Sequence, residues 1–161
     1  MIEDIQIREF KREDLRFVKH LINETIDISY AGVYPEEANE LFKEHHSEEN
    51  ILNDAETGYT IIIEFDGMII GTGTLVGTNV RRVFIDPPYQ YRGVGKSIIH
   101  ELEEYALRQD ITDLELYATP VSKQFWSSRG FILQEEVQIP LENNQKLSYY
   151  KMIKTALIPG N

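Results

Sequence analysis

The chain has 161 residues and a mass of 18.7 kDa, and its 27 acidic side chains outnumber 16 Lys and Arg, so that the formal net charge is −11. This charge disfavours nucleic acid and anionic membranes as partners. No apolar run approaches the ~18 residues of a membrane span, the N-terminus is acidic where a signal peptide would be basic, and the lack of cysteine excludes thiolate chemistry and disulfides. These features predict one cytoplasmic globular domain over residues 1–161.

Most of the excess negative charge lies in one stretch of the chain. Residues 20–59 contain ten acids and a single base, Lys43, whereas residues 61–161 contain twelve acids and ten bases. Two interpretations remain open. The stretch is either a solvated pair of helices or the source of a field that attracts a cation.

The first 58 residues have the periodicity of one short strand followed by helices. Pro35 suits the first turn of a helix, and Ser47 suits an N-cap. The predicted elements are a strand over 5–10, a helix over 12–25, a loop over 26–34, a helix over 35–46 and a short helix over 47–55.

From residue 59 onward, β-branched and aromatic residues dominate. Asp66-Gly67 predicts a two-residue hairpin turn, and Thr119-Pro120 predicts the N-cap and first turn of a short helix that Gly130 ends. The predicted elements are strands over 59–65, 68–76 and 80–86, a helix over 94–108, a strand over 114–117, the short helix before 130, and strands over 131–139 and 146–153. The pattern predicts one mixed α/β domain without repeats or linkers.

The turn between the strand over 80–86 and the helix over 94–108 is the segment most informative about function. It contains Gly93 and Gly95, which let a ligand approach the outward-pointing amides at the start of the helix. Arg92 and Lys96 can add charge-assisted contacts to an anion. Three interpretations of the turn compete: it has no ligand, it binds a nucleotide, or it binds an acyl-CoA. The nucleotide interpretation fails on spacing, because Gln90 stands where the P-loop pattern requires a glycine.

Three segments carry a resemblance to a known family. Gln90-x-x-Gly93-x-Gly95 resembles the Gln/Arg-x-x-Gly-x-Gly/Ala signature of the GNAT acetyltransferase superfamily, and Val83-x-Ile85-x-Pro87 before it resembles that family's fourth strand. Phe125-Trp126-x-x-x-Gly130-Phe131 resembles its Phe-Tyr-x-x-x-Gly-Phe segment. The resemblance extends over residues 5–153. It implies an α/β (α+β) fold with a mixed, mostly antiparallel central sheet flanked by helices, as a single N-acetyltransferase domain.

The resemblance further implies acetyl-CoA as the cosubstrate and no metal. Strand residues of the family pair with the pantetheine arm, and the amides of the glycine loop hold the pyrophosphate. The residues thereby assigned to the cofactor are Val83, Ile85, Gln90, Tyr91, Arg92, Gly93, Val94, Gly95, Lys96, Ser122 and Phe125.

In this family an amine attacks the thioester directly, but the usual proton-transfer residues are replaced here. Trp126 occupies the position of the common tyrosine acid, and Asn79 that of a glutamate base used by some members. Neither side chain titrates near neutral pH. The remaining candidates are Tyr117 and Tyr149 as acids, and Glu64 or Glu24 as bases acting through water.

The loop after the first helix borders the acceptor cleft in this family, which makes Tyr30, Tyr34 and Glu24 candidate acceptor contacts. With the acidic stretch, this predicts a small-molecule or peptide amine acceptor that is cationic. The alternative is an acyl-CoA-binding sensor with little turnover.

Two further expectations concern residues outside these motifs. His45 and His46 are adjacent, so on a helix they point in different directions and are predicted to be surface residues rather than a metal pair. Exposed edge strands near the last hairpin predict a possible homodimer.

Overall fold

The computed structural model describes residues 2–160, which form five α-helices and one seven-stranded sheet. The helices are α1 (Leu15–Ser29), α2 (Glu36–His45), α3 (Glu48–Thr57), α4 (Val94–Arg108) and α5 (Lys123–Ser128). The strands are β1 (Gln6–Glu9), β2 (Tyr59–Phe65), β3 (Met68–Val76), β4 (Asn79–Ile85), β5 (Leu114–Ala118), β6 (Ile132–Pro140) and β7 (Lys146–Lys154). Within this part of the chain, no helix has the length and apolar character needed to cross a bilayer.

The sheet order is β1-β2-β3-β4-β5-β7-β6, and every neighbouring pair is antiparallel except β4 and β5. The predicted mixed, mostly antiparallel sheet is therefore confirmed. Asp66 and Gly67 form the predicted hairpin turn, with φ values of 51° and 75°, and the Ser47 hydroxyl caps α3 by accepting from the Asn50 amide at 3.2 Å.

Two predicted elements differ from the structure. Helix α1 continues to Ser29 because Ile26, placed in a loop by the prediction, is fully buried in the core. Helix α5 begins at Lys123 rather than directly after Thr119. Thr119 and Ser122 instead form a turn, in which the Ser122 amide donates to the Thr119 carbonyl at 3.1 Å and the two hydroxyls lie 3.0 Å apart.

The sheet separates two apolar layers, here called the α4 face and the α1 face after the helices that cover them. Successive residues of β2 point into opposite layers: Ile61 packs with α4, and Ile62 packs with α1, α2 and α3. On the α4 face the helix touches the sheet directly, since a Cβ atom at Gly73 would lie only 2.5 Å from Cγ2 of Ile98.

The parallel strands β4 and β5 separate soon after they start. Asn79 and Glu115 form their single registered pair, and the Glu115 amide donates to the Thr78 carbonyl at 2.9 Å. On its other side, β4 bulges against β3 where Arg82 takes a left-handed φ of 53°. Beyond this bulge a gap opens between β4 and β5.

The edge of β4 along this gap keeps its backbone groups available. The Asp86 amide donates to the Ile70 carbonyl of β3 at 2.8 Å, so that Asp86 faces β3. Because backbone groups alternate along a strand, those of Ile85 and Val83 face the gap. The fold thus provides, inside the molecule, a strand edge that β5 does not cover and on which the Ile85 carbonyl accepts from the Gln90 side chain at 3.0 Å.

Strands β1 and β6 form the two outer edges of the sheet. On β6, Ile132 and Leu133 are exposed. A homodimer formed through this edge stays a prediction.

Candidate active site

A cleft of about 860 Å³ passes through the gap between β4 and β5 and has walls on both faces of the sheet. On the α4 face its walls include Val83, Ile85, Gly93, Gly95, Lys96, Ser122, Phe125 and Arg129. On the α1 face they include Thr25, Ser29, Tyr30, Phe42, His46, Phe84 and Tyr149. The cleft therefore combines residues from both faces of the sheet.

The start of α4 forms one end of the cleft. Gly93 is the N-cap residue, with a left-handed φ of 88° that favours glycine, and it has no side chain to satisfy the first-turn amides. These amides, the positive end of the helix dipole, and the side chains of Lys96 and Arg129 suit an anionic ligand. Gly95 packs closely here, since a Cβ atom would lie 3.0 Å from Cζ of Phe125.

Two of the residues assigned to the cofactor, Val94 and Arg92, do not line the cleft, whereas Gln90 and Tyr91 do. Val94 is buried in the core, Arg92 lies outside the cleft wall, and the Arg92 carbonyl accepts from the Ile2 amide at 3.0 Å. Gln90 lines the cleft, and its side-chain amide donates to the Ile85 carbonyl at 3.0 Å. Tyr91 has a fully exposed side chain and a left-handed φ of 62°.

Comparison with known proteins agrees with this geometry. The family model described as "Acetyltransferase (GNAT) domain" matches residues 25–155. The chain belongs to the GNAT acetyltransferase family. It is an N-acetyltransferase of the GNAT type, and the fold predicted from the motifs is confirmed.

Individual relatives of this GNAT protein are more distant. A curated spermidine N(1)-acetyltransferase from Thermoplasma acidophilum is 26% identical over 148 residues, which cover 81% of this chain and 90% of the relative. The crystal structure of a GCN5-related N-acetyltransferase from Rhodopseudomonas palustris has a TM-score of 0.85 at 21% identity, over 96% of this chain and 98% of that one. The PaiA N-acetyltransferase from T. acidophilum was crystallised in complex with coenzyme A. It has a TM-score of 0.76 at 23% identity, and the match covers 94% of this chain and 99% of that one.

The α1-face part of the GNAT cleft has aromatic walls. Tyr30 packs edge-on against Phe42 at 5.4 Å and against Tyr34 at 5.2 Å between ring centroids. Tyr34 does not line the cleft itself, but its hydroxyl accepts from the Val121 amide at 2.9 Å and so joins the α1–α2 loop to the β5–α5 loop. Burial raises the pKa of Tyr30 to about 12 and also raises the pKa of Tyr149, so both phenols stay protonated at neutral pH.

Tyr117 and Trp126 have different environments. Tyr117 lies on β5 and lines the cleft, with 56% of its surface exposed. Trp126 is only 6% exposed and packs edge-on against Phe125 and Phe131 at 4.9 and 5.4 Å. The tryptophan at the family's acid position is therefore a core anchor.

The structure does not bring the predicted bases into the cleft. Glu64 lies on β2, where its carboxylate accepts from Nε of Arg8 at 2.7 Å. Glu24 pairs with His20 at 3.1 Å on the exposed side of α1. Neither glutamate lines the cleft. Asn79 does line it, and its amide oxygen accepts from Nε of Arg81 at 2.8 Å.

The charge of the cleft differs from the expectation drawn from residues 20–59. Helices α1 and α2 do border the cleft, but none of their acids lines it, and within residues 2–160 its walls contain no Asp or Glu at all. The cationic side chains in its walls are Lys96 and Arg129 on the α4 face, and Arg81 and Arg82 on β4.

Sequence reasoning missed the arginine pair, Arg81 and Arg82. Both guanidinium groups contact the same oxygen of Asp54 on α3, Arg81 at 3.2 Å and Arg82 more closely. Arg82 is 7% exposed, and its Nε has no hydrogen-bond partner. Strand alternation would place consecutive residues on opposite faces. The bulge at Arg82 lets both arginines contact Asp54, and no pattern in the sequence predicts this bulge.

The prediction that both histidines are surface residues is wrong for His46. His46 is 9% exposed, lines the cleft and packs edge-on against Phe84 at 5.1 Å. Burial, with a further contribution from the Arg82 charge, lowers its pKa to about 3, so that the imidazole is neutral at physiological pH. Its Nδ1 has no hydrogen-bond partner. His45 is exposed, as predicted, although it also lines the cleft.

Proposed function

We propose that the protein transfers the acetyl group of acetyl-CoA to a primary amine of a small molecule, by direct attack in a ternary complex. The observation that carries the proposal is the gap between β4 and β5, which opens toward the start of α4 on one face and toward an aromatic pocket on the other. Both substrates can occupy such a cleft together, which removes much of the entropic cost of bringing them into contact.

The residues of the α4 face fit acetyl-CoA. The first-turn amides of α4, with Lys96 and Arg129, would hold its phosphates. The backbone edge of β4 at Val83 and at the Ile85 amide would pair with its amide-containing arm, since the Ile85 carbonyl already accepts from Gln90. The coenzyme A that the PaiA relative binds supports this assignment. When bound, the cofactor supplies an acetyl group activated as a thioester.

The amine nitrogen bonds to the thioester carbonyl carbon while the carbon–sulfur bond breaks. The nitrogen loses one proton from its ammonium form before attack and a second afterward. The sulfur takes up one proton, and the balance is one amide, one thiol and one released proton. A strand N–H group on β4 can stabilise the negative charge that the carbonyl oxygen gains during attack.

The tyrosines donate hydrogen bonds rather than protons in this scheme. A thiol has a pKa near ~8.5, whereas the pKa of Tyr30 is about 12. Full transfer from Tyr30 to the thiolate is therefore strongly uphill. Tyr117 and Tyr149 are proposed in the same supporting role, and water delivers the proton. Water also takes the ammonium proton, since Glu64 and Glu24 lie away from the cleft.

A polyamine is one candidate acceptor, favoured by the relative described as a spermidine N(1)-acetyltransferase. The lack of carboxylates in the cleft walls within residues 2–160 weighs against a purely cationic acceptor.

Two measurements test the proposal. Acetyl-CoA should raise the melting temperature, ATP with Mg²⁺ should not, and Gly95→Val should abolish the acetyl-CoA shift by crowding Phe125. The control is Gly67→Asn, in an exposed turn with open space around its Cβ position. An unchanged shift in Gly95→Val would refute the assigned loop. Thiol release with an amine panel then identifies the acceptor, and a melting shift without release from any amine would contradict the proposed acetyl transfer.

A further inference from the structure

The α1-face end of the cleft has an unbalanced positive charge. Arg81 and Arg82 share the single carboxylate of Asp54. Asp54 itself does not line the cleft, and within residues 2–160 no carboxylate does. Burial keeps His46 neutral, so the histidine does not change the balance. Two cations against one anion leave a net charge of about +1. Because the buried Arg82 and Asp54 pair closely with each other, this excess charge falls on Arg81, whose side chain is 35% exposed.

This end also contains buried polar atoms that lack partners. Nε of Arg82 and Nδ1 of His46 have no hydrogen-bond partner, although both residues are more than nine-tenths buried and both line the cleft. Buried polar groups are nearly always satisfied in native proteins, and the exceptions point to a missing ligand or water. An anion beside Arg81, which lines the cleft and is the more exposed of the pair, would balance the charge.

The position of the arginine pair separates it from the phosphate-binding end. Lys96 and Arg129 lie at the start of α4 and the end of α5, whereas Arg81 and Arg82 lie at the bulge of β4, bonded to α3. The pair is on the same side as the aromatic pocket of Tyr30 and Phe84. The pair therefore belongs to the acceptor rather than to the cofactor.

We infer that the acceptor carries a carboxylate as well as the amine, and that the arginine pair binds this carboxylate. The acceptor is thus a small amino acid-like molecule, not a polyamine. The inference rests on the proposed acetyl transfer and names its substrate class. Guanidinium groups suit this role, because their planar donors match a carboxylate in geometry.

The test compares acceptors that differ only by a carboxylate. Thiol release is followed with lysine against cadaverine, ornithine against putrescine, and 4-aminobutyrate against propylamine, with spermidine included. The wild-type protein should have a kcat/KM at least about tenfold higher for the carboxylate-bearing member of a pair, as expected for a charge-assisted hydrogen bond.

Variants then locate the contact. Arg81→Gln should raise the KM of the preferred amino acid by about ten- to a hundredfold and leave the acetyl-CoA melting shift intact. The KM of the matched amine should not change, and Arg81→Lys should restore part of the loss. Arg81 is chosen because it is more exposed than Arg82, and Arg108→Gln, on the exposed end of α4, is the matched control.

The failures are distinguishable. Thiol release with the diamines but not the amino acids overturns the carboxylate inference and leaves acetyl transfer standing. An unchanged KM in Arg81→Gln also overturns the inference, because the pair then only joins α3 to β4. No thiol release with any amine, despite an acetyl-CoA melting shift, overturns both the inference and the proposed function.

Discussion

The side-chain amide of Gln90 donates a 3.0 Å hydrogen bond to the carbonyl oxygen of Ile85. Ile85 ends β4 at the open gap, so the signature glutamine holds the glycine loop against the strand edge that faces the cleft. The same nitrogen lies 3.4 Å from the Ser29 hydroxyl at the end of α1. One side chain therefore ties together the loop, the strand and the helix around the cleft.

Gln90→Glu removes the side-chain amide donor and places a carboxylate against the Ile85 carbonyl oxygen, which repels it. We expect the KM for acetyl-CoA to rise by roughly tenfold, because the loss of one such bond with added repulsion corresponds to ~1–2 kcal/mol. The KM for the acceptor should stay within a factor of about two. Steady-state kinetics measure both. Gln138→Glu, on exposed β6, is the matched control, and equal effects of the two substitutions would contradict the structural role of Gln90.

The pH dependence of the reaction should follow the acceptor rather than the protein. No carboxylate lines the cleft within residues 2–160, and the pKa values of His45 and His46 are both lowered, mainly by burial. With water as the base, kcat/KM should rise about tenfold per pH unit up to the amine's own pKa, near ~8 for an α-amine and ~10 for an ε-amine. A pH series with both acceptor types measures this limit.

The high pKa of Tyr30, about 12, also predicts that the rate does not fall on the alkaline side below pH ~10. A plateau above pH ~7 that is the same for both amine types would instead identify a protein base and contradict this mechanism.

His46 should make stability depend on pH. Its folded pKa of about 3 lies below the ordinary value of 6.5, so on acidification the unfolded chain binds a proton before the folded one does. The stability is fully present above pH 6.5 and is lost as the pH falls toward 3. Between pH ~6.5 and ~5, this histidine should lower the free energy of unfolding by roughly 1.5 kcal/mol.

Urea unfolding at several pH values measures this effect in the wild type and in His46→Leu, which should lose that part of the slope. His20→Gln is the control, since His20 is highly exposed on α1. If His46→Leu retains the full slope in this window, the histidine is not the group responsible.

Local motifs predicted the parts of this protein that depend on short-range rules. The turn at Asp66, the cap at Ser47 and the glycine loop follow from residue types at fixed spacing. The resemblance to the GNAT family then predicted which elements border the cleft. The extension of α1 to Ser29 was missed because burial of Ile26 against other elements overrides its weak local preference.

The acceptor pocket was harder to predict, because its character depends on long-range placement. The acids of residues 20–59 were visible in the sequence, but only the fold shows that none of them lines the cleft and that Asp54 pairs with two arginines that do. The arginine pair depends on a bulge at Arg82 and on a partner, Asp54, that lies 28 residues away in the chain. Counting charges along a segment cannot replace knowing which side of a helix carries them.

The hydrogen bond between the Tyr34 hydroxyl and the Val121 amide joins two loops that are 87 residues apart in the chain. Neither loop belongs to the sheet, so this contact fastens residues 30–35 beside the cleft independently of the strand pairing. We therefore expect substitutions within residues 30–35 to alter the α1-face part of the cleft, where Tyr30 lies, more than the pairing of the strands.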